Sequence, residues 1–103
     1  MSLMSLTNEN FEDSVKEGVS IVDFWAIWCG PCRIMTPVVE DIAKEMPNVK
    51  VYKFNVDDYP ELTAKFNIMS IPTILIFKDG EEVDQTVGVV SKNVLINKIK
   101  TFL

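Results

Sequence analysis

Two cysteines separated by glycine and proline, set directly behind an apolar run, are the strongest constraint on what this chain can fold into. The motif is Trp28-Cys29-Gly30-Pro31-Cys32 and the run before it is Ile21 to Ile27. A run of that length and composition reads as a central strand buried on both faces. Pro31 sits well in the first turn of a helix, where its missing donor would be unpaired anyway. The motif therefore marks a strand-to-helix junction. Two thiols at this spacing can close into a disulfide and reopen without moving the rest of a domain, which makes dithiol–disulfide exchange the first functional hypothesis.

The rest of the chain alternates in the same style. Thr7 to Asn10 offer N-cap side chains for a short helix through Phe11 and Val15, ending near Gly18. After the motif, Ile34, Met35, Val38, Val39, Ile42 and Met46 form an apolar face at helical spacing, with Pro37 inside the helix as an expected kink. We read Met35, Val39 and Met46 as core. Val49 to Val56 reads as a second buried strand, Pro60 to Phe66 as a short helix and Thr73 to Phe77 as a third strand. Asp79-Gly80 signals a hairpin returning along Glu82 to Val87. Ser91 caps a final helix with Leu95, Ile99 and Phe102 on one face, and Leu3 to Leu6 is a weak extra strand. Strands alternating with helices imply parallel pairing, and the hairpin adds antiparallel strands. The expected architecture is α/β: one domain over residues 1–103, with a single mixed sheet of four to five strands and helices on both faces. A length of 103 residues suits one core and not two. Met-Ser-Leu occurs twice in succession at the start, so Met1 to Leu3 is read as an expression leader with the native start at Met4. A natural targeting segment could have been removed with it.

Charge and composition exclude several functions. Fifteen acidic against ten basic side chains give a net charge of −5, the wrong sign for a nucleic-acid partner. No apolar run approaches the ~20 residues of a membrane span, and the N-terminus lacks the pattern of a secretory signal. The chain has no histidine, which removes imidazole general bases, Ser-His-Asp and Cys-His systems, and every His-containing zinc site. One Cys-x-x-Cys supplies two of the four ligands a structural zinc needs, so zinc would require two copies of the chain. A purely stapling disulfide is the other alternative, but so short a loop stabilises by only about 2 kcal/mol, against ~4.7 for a 100-residue loop. No metal and no bound cofactor are expected.

Within the motif, Cys29 lies at the N-terminus of the helix, where unpaired N–H groups and the positive end of the dipole favour a thiolate. Gly30 lets the chain turn tightly beside that sulfur. Cys32 falls one turn further in, within reach and better buried. Cys29 is thus assigned the attack and Cys32 the resolution. Asp23 is an acid inside the buried strand, six residues ahead of Cys29. Burial raises a carboxyl pKa and would keep it protonated near neutral pH. Asp23 could then accept the Cys32 proton directly or through water; the alternative is an acid at a strand edge or in an ion pair. Lys53, between Tyr52 and Phe54, either snorkels or pairs with Asp23. Pro72, at the start of a strand, marks a turn or a cis bond. Trp28 is either core or a partly exposed aromatic beside the sulfur.

Taken together these blocks resemble the thioredoxin family from about Leu6 to Leu103. Val22-Asp23-Phe24-Trp25-Ala26 leading into Trp28-Cys29-Gly30-Pro31-Cys32 is its active-site signature almost in full. Lys53 to Asp57, Ser70-Ile71-Pro72-Thr73, Phe77 to Gly80 and Val87-Gly88 follow in order. The resemblance implies the thioredoxin fold and a protein disulfide reductase. It implies a cis Pro72 facing the dithiol and an Ile71 backbone that pairs with an extended substrate. It also implies a flat apolar docking surface of Trp28, Gly30, Pro31, Ile71 and Gly88, with Asp23 as the buried acid and Lys53 as its partner. Disulfide-containing client proteins and a thioredoxin reductase, NADPH-linked in the usual case, are the implied partners, with no nucleic acid and no membrane. A cytoplasmic monomer is expected. A lowered first-cysteine pKa is a known property of that family, so the expectation for Cys29 is not independent of the resemblance. One departure is Ile27, apolar where many relatives carry a polar residue or proline, which bears on partner choice. Gly30-Pro31 between the cysteines resembles reducing members. An oxidase or isomerase of the same chemistry is the first rival, and a binding module that docks a partner through Trp28 and Pro72 is the second.

Overall fold

A computed structural model describes residues 3–103, so Met1 and Ser2 of the expected leader lie outside the described residues. Leu3, which that expectation also assigned to the leader, is buried in the core. The elements run β1 (Met4–Ser5), α1 (Phe11–Val15), β2 (Val19–Trp25), α2 (Gly30–Glu45), β3 (Lys50–Asn55), α3 (Pro60–Lys65), β4 (Thr73–Lys78), β5 (Glu81–Val87) and α4 (Lys92–Lys100). The strands form one mixed sheet in the order β1-β3-β2-β4-β5. β1 and β2 both run parallel to β3, whereas β4 is antiparallel to β2 and to β5. The expected element order and mixed sheet are therefore present, and the weak first strand exists as a two-residue edge.

Side-chain alternation along β2 and β4 divides the core in two. Ile21, Ile74 and Ile76 pack with Met35, Val39 and Ile42 of α2 and with Leu95 and Ile99 of α4. Val22, Phe24, Leu75 and Phe77 project to the other face, against Phe11 and Val15 of α1, with Leu62 of α3 and Phe66 beside them. Covered on both sides, β2 is buried along almost its whole length instead of alternating. Phe54 of β3 sits at the centre of the second cluster. Its ring lies 5.3 Å from Phe11, 5.2 Å from Phe24 and 5.2 Å from Tyr59. Truncating it removes all three contacts and leaves a cavity, so Phe54→Ala is expected to cost roughly 3–5 kcal/mol. Chemical denaturation of the disulfide form would read this, and a cost below about 1 kcal/mol would contradict the packing described.

Several expectations need correction. β2 starts at Val19 and ends at Trp25, so Ile27 lies beyond the strand and is 70% exposed. The chain leaves the sheet there, with the Cys29 N–H donating to Ala26 O at 3.2 Å in a turn. Ile34 does not share the buried face of α2 but points to solvent, one position off the stripe formed by Met35, Val39 and Ile42. Asp79 and Gly80 both have positive φ, as a type I′ hairpin requires. Asp79 also exchanges two hydrogen bonds with Gly18, which ties the hairpin to the start of β2.

Candidate functional site

Cys29 is the N-cap residue of α2, with extended backbone (φ −88°, ψ 109°), and Pro31 lies in the first turn. The Cys32 N–H donates to Cys29 Sγ at 3.2 Å. The two cysteines are joined as a disulfide with Cα atoms 5.3 Å apart. Their sulfurs are thus held where β2 gives way to α2, and Cys29 receives a backbone donor of the helix terminus. The expected contrast in burial between them is absent. Cys29 is 3% exposed and Cys32 2%, because the closed pair packs with Ala26, Trp25, Val56 and Ile71. What separates the two sulfurs is position in the helix, and only that of Cys29 accepts the N–H.

Gly30 is also not required for the reason given above. A Cβ built there meets nothing within 4 Å, and the backbone does not take a left-handed φ. What glycine contributes is open surface beside the sulfur. Gly88, in contrast, has φ +85°, a conformation that disfavours any larger residue. Its N–H donates to Pro72 O at 2.8 Å. That bond ties the end of β5 to the Ile71-Pro72 peptide, which is cis. Thr73 Oγ1 donates to Ser70 O at 2.5 Å and closes the same loop.

Trp28 is exposed, and its indole Nε1 donates to Asp57 Oδ2 at 2.8 Å. Asp57 is in turn held by Asn55 Oδ1, which accepts its backbone N–H at 2.9 Å. Asp57 was not among the expected site residues. It lies in the Lys53 to Asp57 block, but a hydrogen bond across 29 positions has no local signature. On the other side of the motif, Arg33 Nη2 donates to Ile27 O at 3.3 Å and braces the turn before Trp28. Next to Trp28 is a depression of about 410 Å³ that reaches Val56, Ile68, Met69 and Ile71. A cleft of similar size, about 420 Å³, is lined by Phe11, Phe66 and Phe77 among others and includes neither cysteine.

Asp23 is buried in β2, in register with Lys53 on β3. It projects to the α2 face of the sheet and lines a small cleft of about 150 Å³ with Trp25, Thr36 and Lys53. Loss of hydration raises its carboxyl from 3.8 to about 7, even with the Lys53 charge pulling the other way. The two do not close an ion pair. Lys53 Nζ instead stands 5.3 Å from the centre of the Trp25 ring, an attraction of cation to π face. Asp23 Oδ1 has no hydrogen-bond partner in the protein. Lys53 is therefore a neighbouring charge and not a direct partner. Among the described residues no group of three or more acidic or cysteine side chains is placed to hold a metal, and no helix is long and apolar enough to cross a membrane.

The chain matches the family model described as Thioredoxin over residues 2–101. It is 44% identical to a thioredoxin of Staphylococcus saprophyticus, with both chains covered in full. It is also 44% identical to a thioredoxin of Chlamydia trachomatis, covering 91% of this chain and 92% of that one. Among solved structures, a single-site mutant thioredoxin from Halobacterium salinarum superposes with a TM-score of 0.91 at 31% identity, covering 98% of this chain and 90% of the other. Likeness of this extent leaves almost none of the sequence unaccounted for, and the protein belongs to the thioredoxin family.

Proposed function

We propose that this thioredoxin reduces disulfides of client proteins, with Cys29 as the attacking and Cys32 as the resolving thiol. The observation that carries the assignment is the helix N-cap position of Cys29, whose sulfur accepts the Cys32 N–H. A thiolate there meets a backbone donor and the positive end of the α2 dipole. It attacks one sulfur of the client disulfide, and the other client sulfur leaves as a thiolate. Cys32 then attacks Cys29 Sγ, closes the Cys29–Cys32 disulfide and releases the second client thiolate. Two electrons pass to the client, and the protein ends in the form described above.

Asp23 serves as the acceptor of the Cys32 proton. Its support is a carboxyl that titrates near neutral pH, on the sheet face that α2 covers. The cleft beside it has room for water, which would carry the proton. Lys53 lowers the cost of charging Asp23 and does not exchange the proton itself. Trp28, Gly30, Pro31, Ile71, Pro72 and Gly88 make the docking surface, the open space at Gly30 admitting the client chain. Turnover requires a thioredoxin reductase, NADPH-linked, to reopen the disulfide. All of these groups come from one chain, so a monomer suffices, and the Gly-Pro pair between the cysteines suits a reducing compartment such as the cytoplasm.

Reduction of insulin by dithiothreitol, followed as turbidity, tests the assignment. Micromolar protein should shorten the lag several-fold; a trace that superposes on dithiothreitol alone would refute it. A redox titration separates it from an oxidase or isomerase, which would show a strongly oxidising potential.

A further inference from the structure

We propose that Met69 is a modification site, its thioether oxidised by hydroperoxides to the sulfoxide, and that the change weakens docking of client segments. Met69 is 92% exposed and immediately precedes the Ser70-Ile71-Pro72 loop. It borders the depression next to Trp28, whose lining is otherwise mainly apolar: Val56, Ile68 and Ile71, with the hydroxyls of Thr63 and Ser70. The other described methionines are placed differently. Met35 and Met46 are core residues, and Met4 is 55% exposed on the edge strand.

The state of the dithiol makes the difference matter. In the disulfide form neither cysteine offers a thiolate, and both are almost wholly covered. Met69 is then the most accessible sulfur on the reactive face. Its lone pair attacks the outer peroxide oxygen, the O–O bond breaks, and the departing oxygen takes a proton to leave as an alcohol or water. The sulfur loses two electrons and the peroxide gains them. The product is a polar, chiral S=O group where a soft apolar one stood. A client segment seated in the depression must now strip water from that oxygen without supplying a donor in return.

This rests on the docking surface proposed above, and the experiment keeps the two apart. The disulfide form is treated with hydrogen peroxide, freed of it by gel filtration, mapped by peptide mass spectrometry and assayed for insulin reduction. Met69 should oxidise ahead of Met4 and well ahead of Met35 and Met46. The value of kcat/KM should fall by about 5-fold through KM, with Tm unchanged. Met69→Leu, compared with its own untreated sample, should lose no activity to peroxide. Oxidation of Met4 before Met69, or an equal loss of activity in Met69→Leu, would overturn the proposal. Untreated protein in the same assay reads disulfide reduction itself, so a deficit present before peroxide counts against the functional assignment and not against Met69, whose oxidation the peptide map decides alone.

Discussion

Replacing Asp23 with asparagine is expected to stabilise the disulfide form by on the order of 4 kcal/mol at pH 8 and by little at pH 4. The sign follows from where the proton sits. The unfolded carboxyl gives up its proton near 3.8, whereas the folded one holds it to about 7. Between those values the folded protein binds a proton that the unfolded chain has released. Stability therefore falls with rising pH, by about 1.4 kcal/mol per pH unit, and levels off once both forms are ionised. Above that point the buried carboxylate lacks a hydrogen bond at Oδ1 and has Lys53 only at a distance. Asparagine removes the charge at nearly constant volume. Guanidinium denaturation of both proteins at the two pH values gives the double difference, from which other titrating groups largely cancel. A gain of equal size at pH 4 and pH 8 would show that ionisation is not its source. The same substitution should slow release of the mixed disulfide at pH 7.

Loss of either cysteine should end turnover, but in different ways. Cys29→Ser removes the attacking sulfur, so insulin reduction should drop to the rate of dithiothreitol alone and no covalent complex should form. Cys32→Ser keeps the attack and removes the resolution. It should stall as a mixed disulfide through Cys29, separable on a non-reducing gel and identifiable by mass spectrometry. The near-equal burial of the two residues makes this a demanding test, since exposure does not favour one over the other. Trapping through Cys32 in Cys29→Ser would reverse the assigned roles. A protein that only docks its partner would keep binding in both variants.

Much of this site was legible because its residues are close in sequence. The apolar run, the proline and the two thiols place Cys29 at a helix start from local chemistry alone, and a carboxyl inside the run marks Asp23 as anomalous. The errors came where one position decides burial. Ile27 and Ile34 are as apolar as their neighbours, and only the point at which β2 ends and the angular position on α2 turn them outward. Contacts between distant segments were illegible from pattern. Trp28 with Asp57, Gly88 with Pro72, and Lys53 over Trp25 each depend on the assembled sheet. Charge alone suggested that Lys53 pairs with Asp23, whereas register makes them neighbours and the Trp25 ring takes the ammonium.

The sheet order leaves β5 with one open side, on which a second molecule could add a strand, and at Gln85 that side is already taken: its N–H donates to Asp84 Oδ1 and its carbonyl accepts from Lys98. Glu81, Glu82 and Asp84 lie along it. Two such margins brought together would gather their carboxylates along one seam, where like charges repel. The protein should therefore resist fibre formation and stay dispersed when concentrated at low ionic strength, with that protection fading as salt screens the repulsion.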